Sequence, residues 1–300
     1  MDLGLLTTCL PEVGFPELAR WASQTGFRSL EAACVAKGAR WYDGARLVPA
    51  KIDEAAAAEI EQLLSSTGLK ISCLSFHDNM LDRDDAARTA KWRLLDATIR
   101  AAARLKVPVV SCLVGRDPAL RLGDCIATWA KLAADALSVA EEAGIRLAVE
   151  NSPLPGWQTE DLPGNAAFAP ELWEKIFTHA RGENLGLNFD PAPLLWLGID
   201  PLEAATAYAE RIFHVRARDA EVFPDRRNDC SCLRPQGGWW RYRLPGLGQL
   251  PWTRLLALLQ ENGYDGPLSL VHDDPVWTGS QEKIKRGLDF SRRFLEQNLV

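Results

Sequence analysis

The chain predicts a single (β/α)8 barrel spanning residues 1–300, and three observations carry that expectation. Short runs with strand character alternate with longer helical patterns eight times. No domain linker or low-complexity tract interrupts the series. A length of 300 residues suits one such barrel, a fold that commonly runs to about 250 residues and grows by insertion.

The pairs follow in order. GLLTTCL (4–10) precedes a helical stretch from Pro16 to about Thr25, and SLEAACV (29–35) precedes a helix over 53–67. ISCLSF (71–76) is followed by 85–105, and VPVVSCLV (107–114) by 122–143. RLAVEN (146–151) leads into 169–180, LGLNFD (185–190) into 201–210, and RIFHVRARD (211–219) into 251–262. LSLVHDD (268–274) and a last helix near 280–297 complete the count. Each helical segment carries apolar residues at three- and four-residue spacing, the signature of a stripe packed on one side. Chemistry in such barrels sits on the loops after the strands' carboxyl ends. Two long loops belong to that end, 152–168 and an insertion over about 220–250 rich in Arg, Trp, Pro and Gly. Long ordered loops of this kind cover or line a site.

Apolar residues make up 47% of the chain and charged residues 25%, enough to build a core. The net charge of −6 argues against non-specific binding to nucleic acid or acidic membranes, both of which need a basic face. The opening MDLGLLTTCLPEVG lacks a basic region before an apolar run, and no apolar stretch approaches about 18 residues, so a cytoplasmic location is expected. Cys9, Cys34, Cys73 and Cys112 fall in apolar strand-like runs and read as reduced core thiols. Cys230 and Cys232 form a C-x-C pair, but no second pair or nearby His completes a four-ligand zinc set.

The segment LGLNFDPAPLLWLGIDPLEAATAYAERIFHVRARDA (185–220) resembles the sugar phosphate isomerase/epimerase group of the xylose-isomerase-like barrels. The likeness continues through ISCLSFHDN (71–79), LAVEN (147–151), PGLGQLPW (245–252) and GYDGPLSLVHDDP (263–275), and so covers essentially the whole chain. In that family a divalent ion is held by a Glu after strand five, an Asp after strand six, a His near the end of strand seven and a Glu ending strand eight. The matching positions here are Glu150, Asp190, Arg216 and Val271. Two family histidines nearby correspond to Ser152 and Pro193.

Valine supplies no ligand, and a guanidinium has five donors, no acceptor and a permanent charge that repels a dication. The resemblance therefore implies a barrel without the family's Mn, Mg, Zn or Co. Arg216 is expected in the vacated position, paired with Glu150, Asp190 or both. It then either fills a dead site or offers a ligand oxygen the fixed positive group that a metal would supply. His77 matches a family position that faces substrate, whereas His214, two residues before Arg216, reads as a core histidine. His272 is expected toward the helices and Asp273 on the Val271 side, where it could replace the missing carboxylate. Asp219 reads either as a partner of Arg218 or substrate, or as a solvated rim pair. Trp157, Trp196, Trp239, Trp240 and Trp277 lie in or near strand-end loops, where indoles either line a pocket or pack; Trp21, Trp92, Trp129 and Trp173 fall in helices and read as packing.

Two functions fit these residues. One is an isomerase, epimerase or lyase acting on a small sugar-like hydroxy-carbonyl compound, with Arg216 as electrophile, Glu150 or His77 carrying the proton, and Asp190, Asp273, Asp219, Trp196 and Trp240 toward the substrate. The other is a catalytically inactive barrel that binds a small polar ligand or partners an active relative. Assembly into a homo-oligomer is left open by the sequence.

Overall fold

The computed structural model describes residues 1–34, 47–153, 164–232, 234 and 238–299. Eight parallel strands close into a barrel: β1 (Leu3–Leu6), β2 (Ser29–Ala33), β3 (Lys70–Phe76), β4 (Val109–Cys112), β5 (Arg146–Glu150), β6 (Leu185–Phe189), β7 (Ile212–Ala217) and β10 (Leu268–Leu270). They neighbour one another in chain order, and β10 closes the ring between β7 and β1. The predicted architecture is therefore the observed one.

Around the barrel lie α1 (Phe15–Thr25), α2 (Glu54–Thr67), α3 (Asp85–Arg104), α4 (Leu122–Glu142), α5 (Pro170–His179), the short α6 (Ala192–Leu197) and α7 (Pro201–Ala207), α9 (Trp252–Glu261) and α10 (Gln281–Glu296). Their ends are specified locally. Asp53, Asp84 and Ser280 each accept a hydrogen bond from the backbone N–H three residues on, which satisfies a donor that a helix start leaves free. Burial of Trp129 and Trp173 confirms the packing role expected from their helical positions. Among the described residues no helix is long and apolar enough to cross a membrane.

The insertion departs from the expected plain loop. β8 (Asp219–Val222) and β9 (Trp240–Arg243) pair antiparallel, with the short α8 (Pro224–Cys230) between them. The sequence WRYR alternates, so Trp240 and Tyr242 share one face while Arg241 and Arg243 share the other. Glu221 accepts from both arginines, Arg241 Nε at 2.8 Å and Arg243 Nη1 at 2.7 Å, and so locks the second face. The first face is turned to the barrel mouth. The expected seventh strand, 211–219, is in fact two strands, with Arg218 at the break between β7 and β8.

Candidate functional site

Successive side chains of a strand point to opposite faces, so His214, Arg216 and Arg218 line up along the inside of the barrel from its interior to its mouth. Each meets a different layer of polar groups. His214 is fully buried; its Nδ1–H donates to Asn188 Oδ1 (3.0 Å) and its Nε2 lies 3.2 Å from Ser72 Oγ. Burial pushes its pKa down to about 4, so the ring is neutral. This is the core histidine the sequence implied.

One layer up, Arg216 makes its tightest pair with Glu31, at 2.5 Å through Nη2 and 3.1 Å through Nε. Its Nη1 reaches Glu150 Oε1 at 3.2 Å, and its Nη2 lies 3.3 Å from His77 Nδ1. Because Nδ1 must accept there, the His77 proton sits on Nε2 and points at Ser111 Oγ, 2.9 Å away. Burial first, and Arg216 second, push the His77 pKa well below its usual value. His77 thus engages protein at both ring nitrogens and holds Arg216 in place, where the sequence reading had it facing substrate.

Glu31 was not anticipated as a site residue. Its signal was a lone carboxylate inside the apolar run SLEAACV, which in a buried strand demands a partner. Ser75 and Arg216 both donate to its Oε1. Arg216 holds the Glu31 carboxyl well below the usual range, overcoming the burial that would raise it.

The expected pairing of Arg216 holds for Glu150 but not for Asp190 at the mouth. Arg218, not Arg216, takes Asp190, at 2.5 Å from Nη2. Its Nη1 pairs with Asp273 Oδ2, also at 2.5 Å, and Nη2 lies 3.8 Å from Glu150. The guanidinium carbon sits 4.0 Å from the centre of the Tyr242 ring, a cation–π contact supplied by the hairpin. Asp273 does return to the site as strand alternation implied, and its side chain is 46% exposed. His272 instead bonds the carbonyl of Trp277, 2.9 Å away. Val271 is buried and brings no donor.

Three buried carboxylates, Glu31, Glu150 and Asp190, therefore share two guanidiniums. Glu150 has the longest contacts of the three and is the odd one out. Burial raises its pKa to about 7 against the pull of Arg216 and Arg218, helped by the neighbouring charges of Asp190 and Glu31. Burial raises Asp190 as well, with Arg218 opposing.

Asp219 is neither a rim pair nor open to a ligand. It is buried, Oδ1 accepts from the backbone N–H of Ala220 (2.8 Å), Gln249 (3.0 Å) and Leu250 (3.0 Å), and Oδ2 accepts from Trp252 Nε1 at 2.9 Å. The approach needs Gly248, where an added Cβ would lie 2.2 Å from Asp219 Oδ1. Asp219 thereby pins the PGLGQLPW segment beneath the hairpin. Trp239 is buried in the core, while Trp196 and the half-buried Trp240 stack at 4.3 Å between ring centres and 6° between planes. Trp277 packs against the core, and Trp157 lies outside the described residues.

A divalent ion does not fit this donor set. The lone pairs of Glu150 and Asp190 that would hold it are turned to two fixed cations, and a third charge of the same sign would have to enter beside them. Glu31, Cys73 and His214 do come within 4.8 Å of one another deeper in the barrel, but Glu31 is committed to Arg216 and both His214 nitrogens are engaged.

The family model described as xylose isomerase-like TIM barrel matches residues 19–294. A Bacillus subtilis (strain 168) relative, uncharacterized protein YfiH, is 24% identical over 302 residues, covering 91% of this chain and 93% of its own. Among solved structures, a xylose isomerase domain protein from Alicyclobacillus acidocaldarius subsp. acidocaldarius superposes with a TM-score of 0.74 at 18% identity, covering 100% of this chain and 98% of its own. A D-psicose 3-epimerase determined in the presence of D-fructose gives 0.73 at 14% identity, covering 100% and 99%.

Proposed function

Because this chain belongs to the xylose isomerase-like TIM barrel family, we propose that its barrel mouth binds a small sugar-like hydroxy-carbonyl compound and moves a proton on it without the family's divalent ion. One observation carries the reading: Glu150, raised to about 7, is bracketed by two guanidiniums at the strand ends where such barrels do their chemistry. A carboxyl with that pKa is part ionised at neutral pH and serves as a base whose conjugate acid returns the proton. Glu150 takes the proton from the carbon beside the carbonyl, and the electron pair of that C–H bond moves onto the carbonyl oxygen to give an enediolate. Glu150 then returns the proton to the neighbouring carbon while the hydroxyl proton passes to the former carbonyl oxygen, which isomerises the compound; epimerising the carbon takes a proton from water on the opposite face, with Glu150 giving its own to solvent.

The negative charge on oxygen needs a fixed electropositive group, and Arg218 suits that role better than Arg216. Asp273, one of its partners, is partly solvent-exposed, whereas Arg216 lies one layer deeper, against the buried Glu31 and His77. A second reading, a barrel that binds without reacting, is favoured by the pairing of Glu31 with Arg216 and of Asp190 with Arg218.

Deuterium exchange separates the two. Protein treated with EDTA and shown by elemental analysis to hold no stoichiometric Mn, Mg, Zn or Co is incubated with aldoses and ketoses in D2O, and label on the carbon beside the carbonyl is read by mass spectrometry. Incorporation that disappears in Glu150→Gln is the expected result. Absence of exchange across the panel leaves the binding reading. One tightly held metal per chain, or activity that EDTA abolishes and a metal restores, overturns the metal-free mechanism.

A further inference from the structure

The charges facing Glu150 come from every side of the mouth. Among the described residues Arg216 of β7 and Arg218 just beyond it are the cations, at 3.2 and 3.8 Å. Glu31 of β2, Asp190 after β6 and Asp273 after β10 are the acids that compete for them. His77 and His214 are held neutral, and burial pushes the Tyr242 hydroxyl up to about 12, so none of these three adds charge near neutral pH.

Among the described residues four acids face two guanidiniums: Arg216 lies closest to Glu31 and Arg218 to Asp190 and Asp273, so Glu150 only shares Arg216, at the longer distance of 3.2 Å. Beside this surplus stands an aromatic wall. Tyr242 already carries the Arg218 guanidinium, and the next ring, Trp240, lies 4.9 Å from Tyr242 and is backed by Trp196. Surplus carboxylate next to an indole is the combination that recognises an organic cation.

Building on the reading of this mouth as a ligand site, we propose that its natural ligand is a sugar-like compound bearing a protonated amine, bound through the carboxylate surplus at Glu150 and Asp273 and the Trp240 wall. The competing classes suit it less well. A phosphate or carboxylate adds negative charge where acids already outnumber cations, and a neutral sugar leaves the missing charge unmet. An ammonium group supplies one positive charge and three donors, and needs no coordination shell.

Isothermal titration of the full chain at pH 6 tests this with matched pairs: 1-amino-1-deoxy-D-fructose against D-fructose, and D-glucosamine against D-glucose, with D-gluconate and D-fructose 6-phosphate as anionic probes. In at least one pair the amine should bind about tenfold tighter than its hydroxyl parent or more. In Glu150→Gln the preference for the amine over its parent should fall by about tenfold. A parent sugar or anionic probe that binds as tightly as the amines, or no binding by any member of the panel, overturns the inference. The comparison within wild-type protein decides it even where the variant folds poorly. Tight amine binding without deuterium exchange would sink the proposed reaction alone; exchange on a neutral sugar with no preference for amines would sink this inference alone.

Discussion

Removing Arg216 tests whether the buried charge cluster holds the barrel together. The side chain is 3% exposed and contacts Glu31, Glu150 and His77. In Arg216→Met, Glu31 keeps only the donors of Ser75 and Asn188 and Glu150 keeps only Arg218 at 3.8 Å. Breaking a buried pair by deleting one partner costs about 3–5 kcal/mol because the survivor must stay charged without a counter-ion or take up a proton. For a chain of this size that corresponds to a drop of roughly 6–10 °C in thermal midpoint. Glu31 is the main source of the loss, since it alone holds a strongly lowered carboxyl pKa that depends on Arg216. Adding Glu31→Gln and Glu150→Gln to Arg216→Met should therefore recover most of the stability, leaving the triple variant within about 1.5 kcal/mol of the parent. Urea titrations followed by tryptophan fluorescence and by far-UV circular dichroism measure both, with coincident transitions required. A single variant that loses less than about 1 kcal/mol, or a triple variant no more stable than the single, would refute the idea that uncompensated charge sets the cost.

Two further outcomes follow from the same geometry. Glu150 has a folded pKa of about 7 against an ordinary 4.5, so the folded state keeps its proton longer. Its contribution is fully present below about 4.5 and is lost as pH rises through 7, amounting to about 3 kcal/mol by pH 8. The lowered histidines work in the opposite direction, losing stability as pH falls below about 6.5, but they are common to parent and variant. The stability difference, Glu150→Gln minus parent, should therefore grow by about that amount between pH 5 and pH 8, and a flat difference across that range would contradict the assignment. Asp219→Ala leaves the backbone N–H groups of Ala220 and Leu250 and the Trp252 indole N–H without their acceptor, while the Gln249 N–H keeps the Ala220 carbonyl, and should destabilise by about 2–4 kcal/mol, with Trp252 moving to a more exposed emission; a neutral effect would show that the pinned segment is held by packing instead.

The fold was legible because eight strand–helix pairs repeat a pattern that depends only on local periodicity. The site was legible where it lay on strands whose alternation could be counted: His214 in the core, Arg216 above it and Asp273 back on the inner side after β10. Counting one step further along β7 puts Arg218 on the same inner face, but the run RIFHVRARD gives no hint that the strand breaks there and hands the chain to a hairpin. Pairing partners were the least legible. Which carboxylate meets which guanidinium depends on barrel layers set by the register of distant strands, and Glu31 is 185 residues from Arg216. Asp219 was misread for a related reason, since its four donors come from the next residue and from 249–252, beyond the insertion.

On the metal-free reading proposed above, arginine in place of a divalent ion changes what sets the charge of such a mouth. An ion is exchangeable and doubly charged, and it leaves when its ligands are protonated. A guanidinium is covalently part of the chain, singly charged, and keeps that charge at any pH the fold survives. Two of them face three buried acids, and Glu150, which shares Arg216 with Glu31, is left to be balanced in part by something that comes and goes. In the free protein that something is a proton. In the proposed function, the same imbalance that makes Glu150 basic enough to take a proton from carbon makes the mouth receptive to a ligand that brings its own positive charge. Reactivity and ligand preference are thus, in the proposed function, two consequences of one carboxylate that only shares a counter-ion, and Glu150→Gln should remove both while leaving the Glu31–Arg216 and Asp190–Arg218 pairs in place.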